Sequence, residues 1–265
     1  MSPDDIIAGM ALVEEAGWNQ VPSDWTMMLR LGRGFAIRDD SGTMIASSMI
    51  LPYPPRFGWI GMVLVRGWFR RRGLATRLLR RAVEDIEQAG LVPMLDATPA
   101  GKRVYDSLGF SPVLELQRWR GKGSGAGHHF PGGADLTAAA AMDGAAFGAD
   151  RSALLADFAA RGNCFAVSAA SGDTHVFTRS GRTATQIGPV LSADDDAAAS
   201  ALGATLDVLQ GSVLLDVPVR ESRLATLLSD RGFTVERPFT RMARGAVGEP
   251  ILGAAARVTA GAELG

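Results

Sequence analysis

A chain of 265 residues is long enough for one large domain or two of medium size. Hydrophobic residues make up 47% and charged residues 21%, so each half has the material for a packed core, while a formal net charge of -1 makes nucleic acid and anionic membranes unexpected partners. One cysteine, Cys164, excludes an intrachain disulfide and a multi-cysteine metal site. With Asp4 and Asp5 where a basic leader would stand, and no apolar run of about 18 residues, a cytoplasmic protein is expected.

Ser2, Pro3 and Asp5 read as a helix start, Ile6, Met10 and Val13 continue it at helical spacing, and Gly17 stops it. A second short helix begins at Ser23 with Trp25, Met28 and Leu29 inward. Residues 34–38 and 43–51 form a hairpin around Asp40, Ser41 and Gly42, and Pro52, Pro54 and Pro55 are expected to break its pairing. Residues 59–65 are a continuous apolar run suited to a central strand. Leu74, Leu78, Ala82 and Ile86 step by four along a helix that Gly90 ends. A strand at 92–97, a helix at 99–108 and a strand at 110–119 follow.

Residues 121–134, GKGSGAGHHFPGGA, are glycine-dominated and lack apolar periodicity, as in a flexible linker. They divide the chain into 1–120 and 135–265. The second half repeats the order of the first: helix 152–160, a hairpin of 164–169 and 174–179 around Ser171, Gly172 and Asp173, strand 185–191, helix 197–209, strand 213–217, helix 222–230 and strand 233–242. Leu95-Asp96 and Leu215-Asp216 each precede a helix and then a Gly-Phe pair. An arginine stands eight residues after each phenylalanine, Arg118 after Phe110 and Arg241 after Phe233. This is the pattern of an internally duplicated α/β unit.

The chemistry concentrates in VLVRGWFRRRGLATRLL, residues 63–79, where an apolar strand runs through a basic, glycine-bearing turn into an amphipathic helix. A helix N-terminus offers unpaired N–H groups and partial positive charge, hence a place for an anion. Gly73 lets a phosphate approach the backbone, and Arg70, Arg71 and Arg72 add charge. The Gly-Lys-Ser/Thr end of an NTPase loop and the G-x-G-x-x-G of a dinucleotide fold are both missing. The plainer alternative is a solvated basic helix start.

On these residues the first half, from about 4 to 120, resembles the GNAT acyltransferase superfamily. That family's pyrophosphate loop reads Gln/Arg-x-x-Gly-x-Gly/Ala, which Arg70-Arg71-Arg72-Gly73-Leu74-Ala75 fits. The resemblance implies that amides of residues 71–76, through Thr76, hold the coenzyme A pyrophosphate. It also implies that Val63, Leu64 and Val65 pair with the pantetheine arm. Tyr105 in Tyr-x-x-x-Gly-Phe matches the family's usual close, where such a tyrosine protonates the departing thiolate; packing for bulk is the alternative.

The family's usual glutamate on the strand before the loop has no counterpart in residues 59–65. Asp96 is the nearest candidate base by topology, and a helix cap is the equal alternative, because Asp216 repeats it. The resemblance also implies that residues 16–25 form a wall of the acceptor site, where Trp18, Asn19 and Asp24 are candidate substrate contacts and Gln20 is a further polar group. The alternative there places Trp25 in the core and Asp24 in a capping turn. The wording of this segment, of LDATPAG and of GADR and LDVP in the second half resembles a GNAT subgroup with an added C-terminal GNAT-like domain.

In the second half SADDDAAA, residues 192–199, replaces the arginine loop, and Leu228 stands where the first half has Tyr105. Three carboxylates repel a pyrophosphate, so this half is expected to shape the acceptor cleft or stabilise the first half without binding coenzyme A. His128, His129 and His175 lack a third ligand at metal spacing, and Cys164 reads as core. The family fold opens with an edge strand, whereas a helix starts this chain, so the apolar tail at 251–258 is a candidate to complete a sheet.

The expectation is therefore an α/β (α+β) fold of two tandem GNAT-like domains, each a mixed, mostly antiparallel sheet flanked by helices. Its function would be transfer of acetyl from acetyl-CoA to a primary amine of a small molecule, as a monomer or homodimer without a metal. A non-catalytic acyl-CoA-binding or small-molecule sensor module is the alternative.

Overall fold

The computed structural model of the chain describes residues 1–127, 133, 135–169, 172–248 and 252–265. His128 and His129, Ser171 and the start of the tail at Ile251 lie outside the described residues. After a 3-10 turn at Pro3–Asp5, α1 (Ile6–Ala16) runs to Gly17, whose φ of 68° gives the left-handed stop expected of glycine. α2 (Pro22–Leu31) leads into β1 (Arg33–Arg38), β2 (Met44–Tyr53) and β3 (Phe57–Val65), an antiparallel meander. Contrary to expectation, Pro52 stays paired, opposite Gly58. β1 stops opposite Ile50, so on that side Pro52 has no ladder partner to lose.

α3 (Leu74–Gln88), β4 (Val92–Ala97), α4 (Pro99–Ser107) and β5 (Ser111–Ser124) complete the first half. The first four residues assigned to the linker continue β5, Gly121 opposite Val213 and Ser124 opposite Gln210. α5 (Leu136–Phe147), capped by Asp135 and stopped by Gly148 at φ 84°, opens the second half. α6 (Ser152–Arg161), β6 (Asn163–Ala169), β7 (Gly172–Arg179), β8 (Thr185–Leu191), α7 (Asp195–Val208), β9 (Gln210–Pro218), α8 (Ser222–Asp230), β10 (Thr234–Ala243) and β11 (Ala256–Val258) follow.

The two units share one sheet of order β1-β2-β3-β4-β10-β5-β9-β8-β7-β6, with β11 added on β8. The last strands are exchanged: β10 pairs with β4 of the first half, and β5 with β9 of the second. Buried arginines fasten the exchange. Arg241 stands opposite Asp96 and donates to both its oxygens at 2.8 and 2.9 Å. Arg118 stands opposite Asp216 and does the same at 2.7 Å. These are the two arginines and two aspartates of the sequence repeat, each bonded across the halves.

The parallel pair β3 and β4 is bonded only over Phe57, Gly58 and Trp59, and then splays apart. β3 also bulges against β2, with a register shift between Ser47 and Met49 and Met62 at φ 52°. β8 and β9 splay in the same way beyond Gln186. There β11 runs into the gap, Ala256 opposite Leu191 and Val258 opposite Val190. The tail does extend a sheet, but inside the second half and not at the first half's edge.

Candidate functional site

The splay of β3 from β4 opens a cleft of about 720 Å³. β3 supplies one wall with residues 60–65, the turn from Phe69 to Thr76 closes one end, and Tyr105 looks in from α4. At that end Arg71 has φ 59° and Gly73 φ 76°. The first bond of α3 runs from Arg77 N–H to Gly73 O, so the amides of Leu74, Ala75 and Thr76 have no helical acceptor. Gly73 faces open space, and Arg70, Arg71 and Arg72 are exposed around it. Arg70 is braced by its Nε bond to Val65 O at 3.0 Å, and Arg72 lies over the Phe69 ring. Free amides and fixed cations around a position without a Cβ suit a pyrophosphate.

Val63, Leu64 and Val65 line the cleft beyond the point where β4 departs, and so keep a strand edge facing it. The Tyr105 ring packs edge-on to Phe110, centroids 6.1 Å apart, and its hydroxyl takes no partner among the described residues. Burial pushes that phenol up to about 12, so it remains a proton donor across the neutral range.

Asp96 also lines the cleft, but Arg241 holds both its oxygens and both side chains are fully buried. Burial pushes the Asp96 carboxyl up, against the pull of Arg241. It is not a helix cap either, since Thr98 caps α4 by accepting from Gly101 N–H at 3.2 Å. Each of its oxygens is thus engaged in the strand exchange.

The expected acceptor wall is partly realised. Trp18 and Gln20 line the cleft, and Gln20 Oε1 is buried without a donor. Asn19 does not line it: Oδ1 accepts from Thr183 N, Thr183 Oγ1 and Ala184 N, and Nδ2 donates to Ala184 O, so its amide is engaged in joining the halves. Asp24 accepts from Val21 N at 3.0 Å and from Arg161 Nη2 at 3.0 Å, a capping and interdomain ion pair away from the cleft, while Trp25 is fully buried core. Asn and Asp at these positions are thus consumed by packing, and the neighbouring glutamine turns inward.

The remaining walls come from elements whose place no local pattern announces. Arg118 on β5, Arg237 and Phe239 on β10, and Ala262 and Glu263 of the tail all border the cleft. Burial and the neighbouring Arg118 hold the Arg237 guanidinium below its usual range. Only the repeat-spaced arginines hinted at these strands.

The corresponding places in the second half are filled. Asp194 caps α7 by accepting from Ala197 N at 2.7 Å, and Asp195 pairs with Arg257 at 2.5 Å. β11 occupies the splay between β8 and β9, and Thr259 N donates to Asp216 O. His175 is buried on β7 and held below its ordinary value by burial. The Cys164 thiol is pushed up to about 12 by burial, which keeps it a thiol.

A splayed mixed sheet with a basic turn at its opening is the architecture of an acyl-CoA-dependent transferase. Residues 12–110 match the acetyltransferase (GNAT) family, and residues 139–251 match an acetyltransferase (GNAT) domain. The chain belongs to the GNAT acetyltransferases, as two such domains in tandem.

Solved structures share the fold along its whole length. A Pyrococcus horikoshii protein provisionally described as an acetyltransferase superposes with a TM-score of 0.77 at 17% identity, over 97% of this chain and 91% of its own. A tandem GNAT protein from the clavulanic acid biosynthesis pathway gives 0.65 at 13% identity, over 94% and 98%. A GCN5-related N-acetyltransferase from Sphaerobacter thermophilus gives 0.62 at 17% identity, over 93% and 95%. A search of curated protein sequences found no significant relative.

Proposed function

We propose that this chain transfers an acyl group, acetyl in the first instance, from acetyl-CoA to a primary amine of a small molecule, at one site in its N-terminal half. The observation that carries the reading is the cleft itself, an unpaired β3 edge that ends at a basic turn with three unclaimed helix amides. The pyrophosphate sits against residues 71–76, the pantetheine arm pairs with Val63, Leu64 and Val65, and the amine attacks the thioester carbon directly. Tyr105, with its raised phenol, supplies the proton to the leaving sulfur. Trp18 and Gln20 form part of the amine side. In the second half the acidic start of α7 and the inserted β11 exclude a second cofactor.

Titration calorimetry with acetyl-CoA, followed by a thiol-release assay across amino acids, polyamines and aminoglycosides, tests the reading. Binding with turnover on at least one amine is expected. Binding without turnover on any of them would instead favour a sensor.

A further inference from the structure

The proposed direction of the cofactor locates its reacting end. With the pyrophosphate at residues 71–76, just past the end of β3, the arm runs back along β3 from Val65. The four steps to Gly61 cover about 13 Å at about 3.3 Å per residue. Gly61 is the residue before the bulge at Met62. What stands against Gly61 is the tail: a Cβ there would lie 2.5 Å from Glu263 O and 3.2 Å from Glu263 Cα.

The tail is well fixed at this place. Tyr53 Oη donates to Leu264 O at 2.8 Å, Trp59 Nε1 to Ala262 O at 3.1 Å, and Arg179 Nη1 to Ala260 O at 2.7 Å. Asp96 and Glu263 are the carboxylates that border the cleft among the described residues. Asp96 has both oxygens held by Arg241. Glu263 has one: Oε1 accepts from Arg179 Nη2 at 2.8 Å. Its Oε2 accepts from no described residue and keeps exposed surface, in a residue that borders the cleft.

We infer that Glu263, carried across from the second half by the C-terminal tail, is the base that takes the proton from the acceptor amine in the first half's site. The inference rests on the transferase reading above. An alkylammonium acceptor loses a proton to Oε2, and the amine lone pair forms the N–C bond to the thioester carbon. The C–S bond then breaks with its electron pair on sulfur, which takes the Tyr105 proton. The nitrogen's surplus proton returns through solvent to Tyr105, and Glu263 releases its own, so one proton leaves per turnover. This gives the tail two tasks, since the same segment that closes the second splay delivers the carboxylate missing from residues 59–65.

Glu263 pairs with Arg179 on β7, which has Asp24 behind it, and lies within electrostatic reach of Asp96 on β4, Arg118 on β5 and Tyr53 on β2. The test compares full-length wild type, Glu263→Gln and Glu263→Asp by thiol release with an alkylamine acceptor. Assays are run at about pH 7 and about pH 10, between which such an amine, with a pKa of about 10.4, goes from almost wholly protonated to about a quarter free. Expected for Glu263→Gln are an acetyl-CoA Kd within about twofold of wild type and a kcat about 10²-fold lower at neutral pH. The deficit should narrow to about tenfold or less at the higher pH, where an appreciable fraction of the amine is already free and needs no base. Wild-type kcat in Glu263→Gln, or an equal deficit at both pH values, would overturn the inference.

If Glu263→Gln fails to fold, Glu263→Asp decides, because it keeps a charge for Arg179 but withdraws the carboxylate by one methylene. Intact cofactor binding with kcat about tenfold lower supports the inference, and wild-type kcat overturns it. No release from the wild-type chain on any amine contradicts the transferase reading and this inference together. Release by Glu263→Gln at the wild-type rate contradicts this inference alone.

Discussion

Tyr105 can act as proton donor only if its ring is held toward the cleft, and a missing side chain makes that possible. A Cβ at Gly101, one helical turn earlier, would stand 2.9 Å from Tyr105 Cε2. Gly101→Ala should therefore displace the ring and lower kcat, and the loss should vanish when the same change is made in a Tyr105→Phe background. Tyr105→Phe alone is expected to lower kcat by about 10²-fold while leaving acetyl-CoA affinity unchanged. Because the phenol is raised from 10.0 to about 12, it is protonated throughout the neutral and mildly alkaline range. The Tyr105→Phe deficit should therefore be constant from about pH 6 to about pH 10, which a pH–rate comparison of the two proteins checks. The position of Tyr105 and of the loop residues beside the cleft was legible in the sequence because a helix period and a strand–turn–helix order surround them. Asn19 and Asp24 lie off the cleft, which the sequence could not show because a polar residue beside a cleft and one joining two domains look alike until their partners, Ala184 and Arg161, are located.

At the scale of elements, the exchange of β5 and β10 depends on two buried ion pairs whose partners belong to different halves. Asp216→Asn would leave the Arg118 guanidinium, held well above its usual range by Asp216 despite burial, without its counter-charge. The expected destabilisation is about 3–5 kcal/mol, read from the midpoint of urea unfolding; a change under about 1 kcal/mol would show that the pair is dispensable. Most strands and helices could be read from periodicity to within a few residues, as with Thr185–Leu191 and Ser222–Asp230. α5 was passed over because its alanine-rich run offers no apolar stripe, although Asp135 and Gly148 mark its ends. Strand exchange has no local signature. A strand reads the same whichever sheet receives it, and only the Asp–Arg repeat recorded the pairing.

The whole molecule is consequently less divisible than its two matched domains suggest. β4 finds its outer neighbour in β10, and the first site takes Arg237 and Glu263 from the second half. Residues 1–120 expressed alone should show neither a cooperative unfolding transition nor acetyl-CoA binding, whereas the full chain should unfold in one transition when followed by circular dichroism and by tryptophan fluorescence. One opening is basic and the other is acidic and filled by β11, so the central claim is a count. Calorimetric titration of acetyl-CoA into the full chain measures it most directly. One molecule bound per chain is predicted, with binding lost in Gly73→Asp, which sets a carboxylate where the pyrophosphate would lie. Two molecules per chain, or one whose binding survives Gly73→Asp, would contradict the account.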